Sequence, residues 1–240
     1  MSPRGVFIVA CSFLCCSIIS APAQRRNSGP GSRAGEDTVS LANLTVPGKA
    51  KSQLDKAQNL LNRQKTPAAR AAALKAIQIY PEYAEAHGFL GMLDLLEHKP
   101  EEALDQVEKA VQIDPNSPQC LYELGTTYVV LRRYDDALRA LQTSLRSAPN
   151  LWEIHYEMSK AYLGKGDFAA ALRQTDNALA LAPTPYFPVH LIRAHALLGL
   201  KQYTQAVAEL EVYLKRQPRG EFAPEARETL NRVKVLTAQE

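Results

Sequence analysis

One interval recurs along this chain. The segment KAIQIYPEYAEAHGFLG at 75–91 returns as KAVQIDPNSPQCLYELG at 109–125, 34 residues later. Three columns of residues keep that interval, with 35 at the last step: Pro81, Pro115, Pro149, Pro183 and Pro218; Ala69, Ala103, Ala137, Ala171 and Ala206; and the small residues Ala57, Gly91, Gly125, Ser159 and Ala194. A fixed period of this length is typical of a fold built by stacking one structural unit. The chain is therefore predicted to be a tandem repeat.

Each unit is predicted to form two helices. In the unit at 84–117, the segment AEAHGFLGMLDLLEH has apolar residues at helical spacing and ends at HKP. Pro100 suits the first turn of a second helix, and Glu101 and Glu102 suit its positive end. EEALDQVEKAVQI then shows the i, i+3/4, i+7 pattern of an amphipathic helix, and Pro115 terminates it. The small-residue columns mark where the two helices pack closely. The predicted class is all-α.

This pattern resembles the tetratricopeptide repeat (TPR) family, whose signature is W-x2-L-G-x2-Y, then A-x3-F, then P, over 34 residues. The third unit follows it most closely, with Leu121, Leu124, Gly125, Tyr128, Ala137, Leu141 and Pro149 at those places. The resemblance implies a right-handed α-solenoid of helix-turn-helix repeats with a C-terminal capping helix. The predicted organisation is five repeats within 49–220, at 50–83, 84–117, 118–151, 152–185 and 187–220, followed by a capping helix at 221–240.

The N-terminal segment differs in composition from the repeats. Residues 1–23 combine one positive charge, the apolar run VFIVACSFLCCSIIS and an A-x-A site at Ala21–Ala23, which predicts a secretory signal peptide. An uncleaved inner-membrane anchor through residues 6–22 is the alternative, and a lipoprotein signal at Cys11 fits less well because the apolar run continues past it. Residues 24–48, rich in Gly, Ser, Arg and Pro, are predicted to be a flexible leader.

The cysteine count and the net charge limit where the protein is expected and which partners it is expected to bind. Three of the four cysteines lie in the predicted signal, so the mature chain would keep Cys120 alone and form no intramolecular disulfide. An exported protein without disulfides fits a bacterial envelope, so we expect a periplasmic or secreted protein with no membrane span after cleavage. A net charge of +3, with basic residues scattered among acidic ones, does not favour nucleic-acid binding.

Nothing in the sequence predicts catalysis. His87, His155 and His190 share one repeat column, which favours packing residues over metal ligands, and His190 and His195 point away from each other on a helix. HExxH, GxSxG and paired CxxC motifs are absent, as are phosphate-binding loops. We therefore expect no enzyme activity, no metal and no cofactor.

The resemblance also implies a binding surface, because the family binds ligands in a concave groove lined by the first helix of each repeat. Carried onto this sequence, the predicted peptide-binding groove comprises Met92, Leu95, Tyr122, Thr126, Val129, Tyr156, Lys160, Leu163, Leu191 and His195. The groove is mostly apolar and aromatic and lacks the Lys/Asn/Arg set that clamps a C-terminal carboxylate in some members. The predicted function is a non-catalytic scaffold, an adaptor or assembly factor that binds a protein or peptide in the bacterial envelope. A structural protein that uses this groove for homo-oligomerisation is the alternative.

Overall fold

The computed structural model describes residues 46–183 and 186–237, and within them it contains eleven helices and no strand. The predicted signal peptide and the leader up to residue 45 lie outside the described residues. The helices are α1 Gly48–Asn62, α2 Thr66–Ile79, α3 Ala84–Leu96, α4 Pro100–Ile113, α5 Pro118–Val130, α6 Tyr134–Ser147, α7 Trp152–Lys165, α8 Phe168–Leu181, α9 Pro188–Gly199, α10 Tyr203–Arg216 and α11 Ala223–Thr237. The all-α helical-repeat class predicted from the sequence is confirmed. None of these helices is both long and apolar enough to cross a membrane.

The chain divides into two compact units, the first of which ends at Leu131 and holds α1–α5. Here α1 packs on α2 and α3 on α4, while α2 packs on α3 and α4 on α5 to stack one pair on the next. Gly91 of α3 shows why the small column is needed. A Cβ at this position would lie 2.6 Å from Cγ1 of Val107 and 3.1 Å from the carbonyl oxygen of Ala103, both in α4. A larger residue would push the two helices apart.

The second unit begins at Arg132 and holds α6–α11. Its helices stack in the same order, with α7 on α8, α9 on α10 and α11 on α10. Glycines late in the first helix of a pair make room for aromatic rings of the preceding pair. A Cβ on Gly164 would lie 2.2 Å from the Tyr134 ring, and a Cβ on Gly199 would lie 2.4 Å from the Phe168 ring. On α11, Ala226 and Val233 are buried and Leu230 packs against the core.

The turn between the two helices of each repeat has a fixed geometry. One residue in each turn has a positive φ, between 58° and 78°: Gln64, His98, Arg132, Gly166 and Lys201, which follow one another at the repeat interval. In the first turn, the Gln64 N–H donates to the Leu61 carbonyl at 2.7 Å and the Lys65 N–H donates to the Leu60 carbonyl at 2.9 Å. These two bonds are a Schellman motif, which ends the first helix and starts the second one residue later. Only one of the five positions holds the glycine that this geometry prefers.

Candidate functional site

The first helix of each repeat carries the predicted binding residues, and the structure separates them into exposed and buried groups. In the first unit, Met92 of α3 and Tyr122 and Val129 of α5 are partly exposed, whereas Leu95 is buried and Thr126 is only 4% exposed. In the second unit, Leu163 of α7 and His195 of α9 are partly exposed, whereas Tyr156, Lys160 and Leu191 are buried. Five of the ten predicted groove residues are therefore partly exposed to solvent, and the other five are buried.

In the first unit, Glu123 on α5 lies against Gly88 on α3. A Cβ at Gly88 would stand only 1.8 Å from Oε2 of Glu123, so this glycine provides the space that the carboxylate occupies. Oε1 accepts a hydrogen bond from Nε2 of Gln119 at 2.8 Å, while Oε2 is buried and has no partner. Burial, helped by the charge of Glu85 and opposed by the Gln119 bond, raises the pKa of Glu123 to about 7.

Thr126 lies one turn after Glu123 on the same helix. Its Oγ1 is buried and has no hydrogen-bond partner. The next residue, Thr127, behaves differently because its hydroxyl donates to the Glu123 carbonyl oxygen at 2.8 Å, the bond to the preceding turn that a helical threonine usually makes. The Thr126 hydroxyl therefore lacks the bond within the helix that the Thr127 hydroxyl makes.

In the second unit, Lys160 is buried in an ion pair. Its Nζ lies 2.7 Å from Oε2 of Glu157, one turn earlier on α7, and both side chains are 4% exposed. The same Nζ lies 5.2 Å from the centroid of the Tyr156 ring, a cation–π distance. The positive charge of Lys160 is therefore already used within the protein.

An aromatic cluster of Trp152, Tyr156 and Tyr186 lies at the start of α7. The ring centroids of Trp152 and Tyr186 are 4.8 Å apart, and those of Tyr156 and Tyr186 are 5.2 Å apart in an edge-on arrangement. Burial raises the pKa of the Tyr186 hydroxyl to about 12, and the negative charges of Glu157, Glu153 and Glu221 act in the same direction. The cluster is aromatic and surrounded by carboxylates.

Glu153 is the second carboxylate on a first helix without a counter-charge. Its Oε2 is buried and has no partner, and burial raises the pKa of the carboxyl group. Because Lys160 pairs with Glu157 instead, no basic side chain in the described part of the chain forms an ion pair with Glu153.

His195 on α9 is largely buried, with its side chain 14% exposed. Burial lowers the pKa of its imidazole to about 4, so the ring is neutral at neutral pH. Nε2 lies 4.0 Å from Oε1 of Glu225 on α11, and Nδ1 is buried without a partner. A neutral imidazole with a free ring nitrogen can accept or donate one hydrogen bond to a ligand.

The unsatisfied polar atoms lie on the same kind of helix in each unit. Within 46–183 and 186–237, the buried side-chain nitrogen and oxygen atoms that have neither a hydrogen bond nor an ion pair all belong to first helices: Glu123 Oε2, Thr126 Oγ1, Glu153 Oε2 and His195 Nδ1. Each such atom destabilises the folded chain by ~1–3 kcal/mol relative to a satisfied one. In each unit, the unsatisfied atoms of the described residues therefore lie on the helices that the sequence predicts to line the groove.

The three column histidines have partners in the second helix of their own repeat. His87 Nδ1 lies 3.0 Å from Oε1 of Gln106, and its Nε2 lies 3.1 Å from the Pro81 carbonyl oxygen. His155 and His190 make the equivalent contacts to Gln174 and Glu209. No cluster of three or more histidine, cysteine or acidic side chains that could hold a metal ion occurs in the described ranges.

Sequence reasoning did not single out Trp152, Glu153 and Tyr186 as neighbours of Tyr156. The signal for the first was available, since Trp152 precedes Tyr156 by one helical turn. Tyr186 lies before α9, in the TPTPYFP insertion that interrupts the 34-residue period. No repeat column predicts its position.

Two family models of the tetratricopeptide repeat match the chain, one over residues 94–161 and the other over 54–118 and 156–224. The structure is similar to TTC0263, a TPR protein of Thermus thermophilus, with a TM-score of 0.63, 20% identity, and coverage of 78% of this chain and 99% of that one. PilF of Pseudomonas aeruginosa is 19% identical with a TM-score of 0.61, over 80% and 98% of the two chains. YrrB, described as a TPR protein with an unusual peptide-binding site, is 22% identical with a TM-score of 0.55, over 75% and 92%. None of the curated proteins matches this chain in sequence.

Proposed function

Because the chain belongs to the tetratricopeptide repeat family, we infer that it is a non-catalytic scaffold that binds a peptide segment of a partner protein along the first helices of its repeats. Repeat folds of this kind serve protein–protein interaction, and they present successive helices to one extended ligand. The observation that carries the proposal is that, among the described residues, the buried side-chain polar atoms with neither a hydrogen bond nor an ion pair lie on α5, α7 and α9. A bound peptide can supply backbone and side-chain hydrogen-bonding groups to such atoms.

The exposed part of the same face is suited to peptide side chains. Met92, Tyr122 and Val129 in the first unit, and Leu163 in the second, offer partly exposed apolar or aromatic surface on first helices. Apolar contact area with a few fixed polar groups is the usual composition of a peptide-binding surface. Tyr156 and Lys160 are buried under this surface. Tyr156 contacts the Tyr186 ring, and Lys160 forms an ion pair with Glu157.

The proposed setting is the bacterial cell envelope, with a role as an adaptor or assembly factor. The support is the sequence of residues 1–23, which has the charge, apolar run and cleavage site of a secretory signal. Fractionation of the source organism, followed by N-terminal sequencing of the purified protein, tests this. A mature N-terminus at Gln24 in the periplasmic fraction is expected, whereas a cytoplasmic protein that starts at Met1 contradicts it.

Site-specific photo-crosslinking tests the binding face itself. A benzophenone amino acid is placed at Tyr122, at Leu163 and, as a matched control, at Arg139 on α6, whose side chain is 71% exposed. We expect a discrete adduct from the two first-helix positions and none from Arg139. The same adducts from all three positions contradict the proposed face, and an adduct of twice the protomer mass from Tyr122 and Leu163 indicates homo-oligomerisation instead.

A further inference from the structure

The charges on the first helices indicate which kind of peptide side chain the protein binds. We propose that each unit binds a basic segment, whose arginine or lysine side chain pairs with Glu123 in the first unit and with Glu153, beside the rings of Trp152 and Tyr186, in the second. This inference rests on the proposed peptide-binding function and specifies its ligand.

In the first unit, Glu123 lacks the positive charge that a buried carboxylate needs. Gln119, which donates the hydrogen bond to Oε1, is neutral, and the charged group that acts on Glu123 is the like-charged Glu85. A buried carboxylate without a counter-charge is costly, and a cation close to Oε2 removes that cost. The buried and unpartnered Oγ1 of Thr126, one turn later, can accept a further N–H from the same ligand.

In the second unit, the surroundings of Glu153 match the requirements of a guanidinium or ammonium group. Arginine stacks on aromatic rings and lysine is attracted to their faces, and both pair with carboxylates. Trp152 and Tyr186 supply two rings at 52° to each other, and Glu153 supplies the carboxylate with a free Oε2. The Tyr186 hydroxyl experiences three negative charges, from Glu157, Glu153 and Glu221.

Lys160, whose Nζ lies 5.2 Å from the centroid of the Tyr156 ring, does not make this cluster positive. Lys160 neutralises Glu157, from which its Nζ is 2.7 Å away, and this leaves Glu153 and Glu221 uncompensated. An acidic segment or a free C-terminal carboxylate would meet these like charges, and the ammonium group of Lys160 is already paired. Like-charge juxtaposition of this kind disfavours acidic ligands strongly.

Selection from a random library of displayed 12-residue peptides tests the proposal with a defined probe. The full-length chain is immobilised, and the enriched sequences are compared with those from Glu123→Gln, Glu153→Gln and the double variant. Glu101→Gln, which alters an exposed carboxylate on the second helix α4, is the matched control. Circular dichroism and thermal unfolding of each variant confirm that it is folded, because glutamine preserves the shape of glutamate.

The expected result is a set of peptides enriched in arginine or lysine that bind the wild type and Glu101→Gln equally. Binding of these peptides should weaken by about tenfold or more in each first-helix variant, as is usual when one partner of a buried charge pair is removed. Enriched peptides without basic residues, or basic peptides whose affinity is the same for the double variant, would overturn the inference while leaving peptide binding intact. The absence of any enriched peptide would instead overturn the proposed function on which the inference rests.

Discussion

Nδ1 of His155 on α7 lies 2.7 Å from Oε1 of Gln174 on α8, nineteen residues later. The same nineteen-residue spacing joins the other two histidines of this column to a polar partner, in the pairs His87–Gln106 and His190–Glu209. In the third repeat the equivalent positions hold Leu121 and Ala140, which are both apolar. The two positions thus change character together, as expected where a polar group inside a helix pair requires a partner.

This pairing predicts a non-additive effect on stability. Gln174→Ala leaves the buried His155 ring without its partner and should lower the free energy of unfolding by about 1–2 kcal/mol. The double variant His155→Leu/Gln174→Ala copies the pair of the third repeat and should be destabilised less than the sum of its single variants. Urea unfolding of the four proteins gives the coupling energy, expected at ~0.5–1.5 kcal/mol. Strict additivity would show that the contact contributes nothing.

The positive-φ column predicts a stabilising substitution. Lys201 has a φ of 60°, a conformation that costs a side-chain-bearing residue ~1–2 kcal/mol and glycine almost nothing. Lys201→Gly should therefore raise the free energy of unfolding by about 0.5–1 kcal/mol, after the larger chain entropy of unfolded glycine is subtracted. The reverse change at the equivalent position, Gly166→Ala, should destabilise by at least ~1 kcal/mol. Chemical unfolding measures both, and equal signs for the two would contradict the argument.

The period of the sequence was sufficient to predict the helix pairs, because it repeats both the apolar spacing and the prolines that end each second helix. It did not predict the positive φ of the turns, since Gln64, His98 and Lys201 give no glycine signal and the geometry follows from how two helices must join. The candidate site stays a prediction, made at the level of the helix face. Tyr156 packs against Tyr186, a residue in an insertion outside the repeat. The repeat period could not predict this contact, because Tyr186 belongs to no repeat column.

Close packing at Gly199 predicts a cost that depends on local space and not on helix propensity. A Cβ on Gly199 would lie 2.4 Å from the Phe168 ring, so Gly199→Ala should lower the free energy of unfolding by about 1–3 kcal/mol despite the higher helix propensity of alanine. Gly48→Ala is the matched control, because nothing lies within 4 Å of a Cβ there, and it should be neutral or slightly stabilising. Thermal unfolding distinguishes the two, and similar shifts for both would refute the packing explanation.

The pKa of Glu123 predicts a pH-dependent gain in stability when the carboxylate is removed. Its folded-state pKa, raised to about 7 from the ordinary value of 4.5, means that the folded chain binds this proton more tightly than the unfolded chain does. Protonation of Glu123 therefore contributes its full stabilisation to the folded wild type below pH ~4.5, and this contribution is lost as pH rises through 7. Glu123→Gln cannot titrate at this position, so its stability lacks this pH dependence. Because Glu123 is only partly buried as a whole residue, the difference should reach about 1–3 kcal/mol above pH 7.

Comparison of the two proteins isolates Glu123 from His195, whose lowered pKa gives the opposite slope in both. Urea unfolding at a series of pH values between 4 and 8 measures the difference. A difference that stays constant over this range would mean that Glu123 is not destabilised in the folded chain. Growth of the stability difference with pH, together with weaker binding of the basic peptides by Glu123→Gln, would show that the Glu123 carboxylate lowers stability and supports binding. That combination is expected of a residue retained for its ligand and not for the fold.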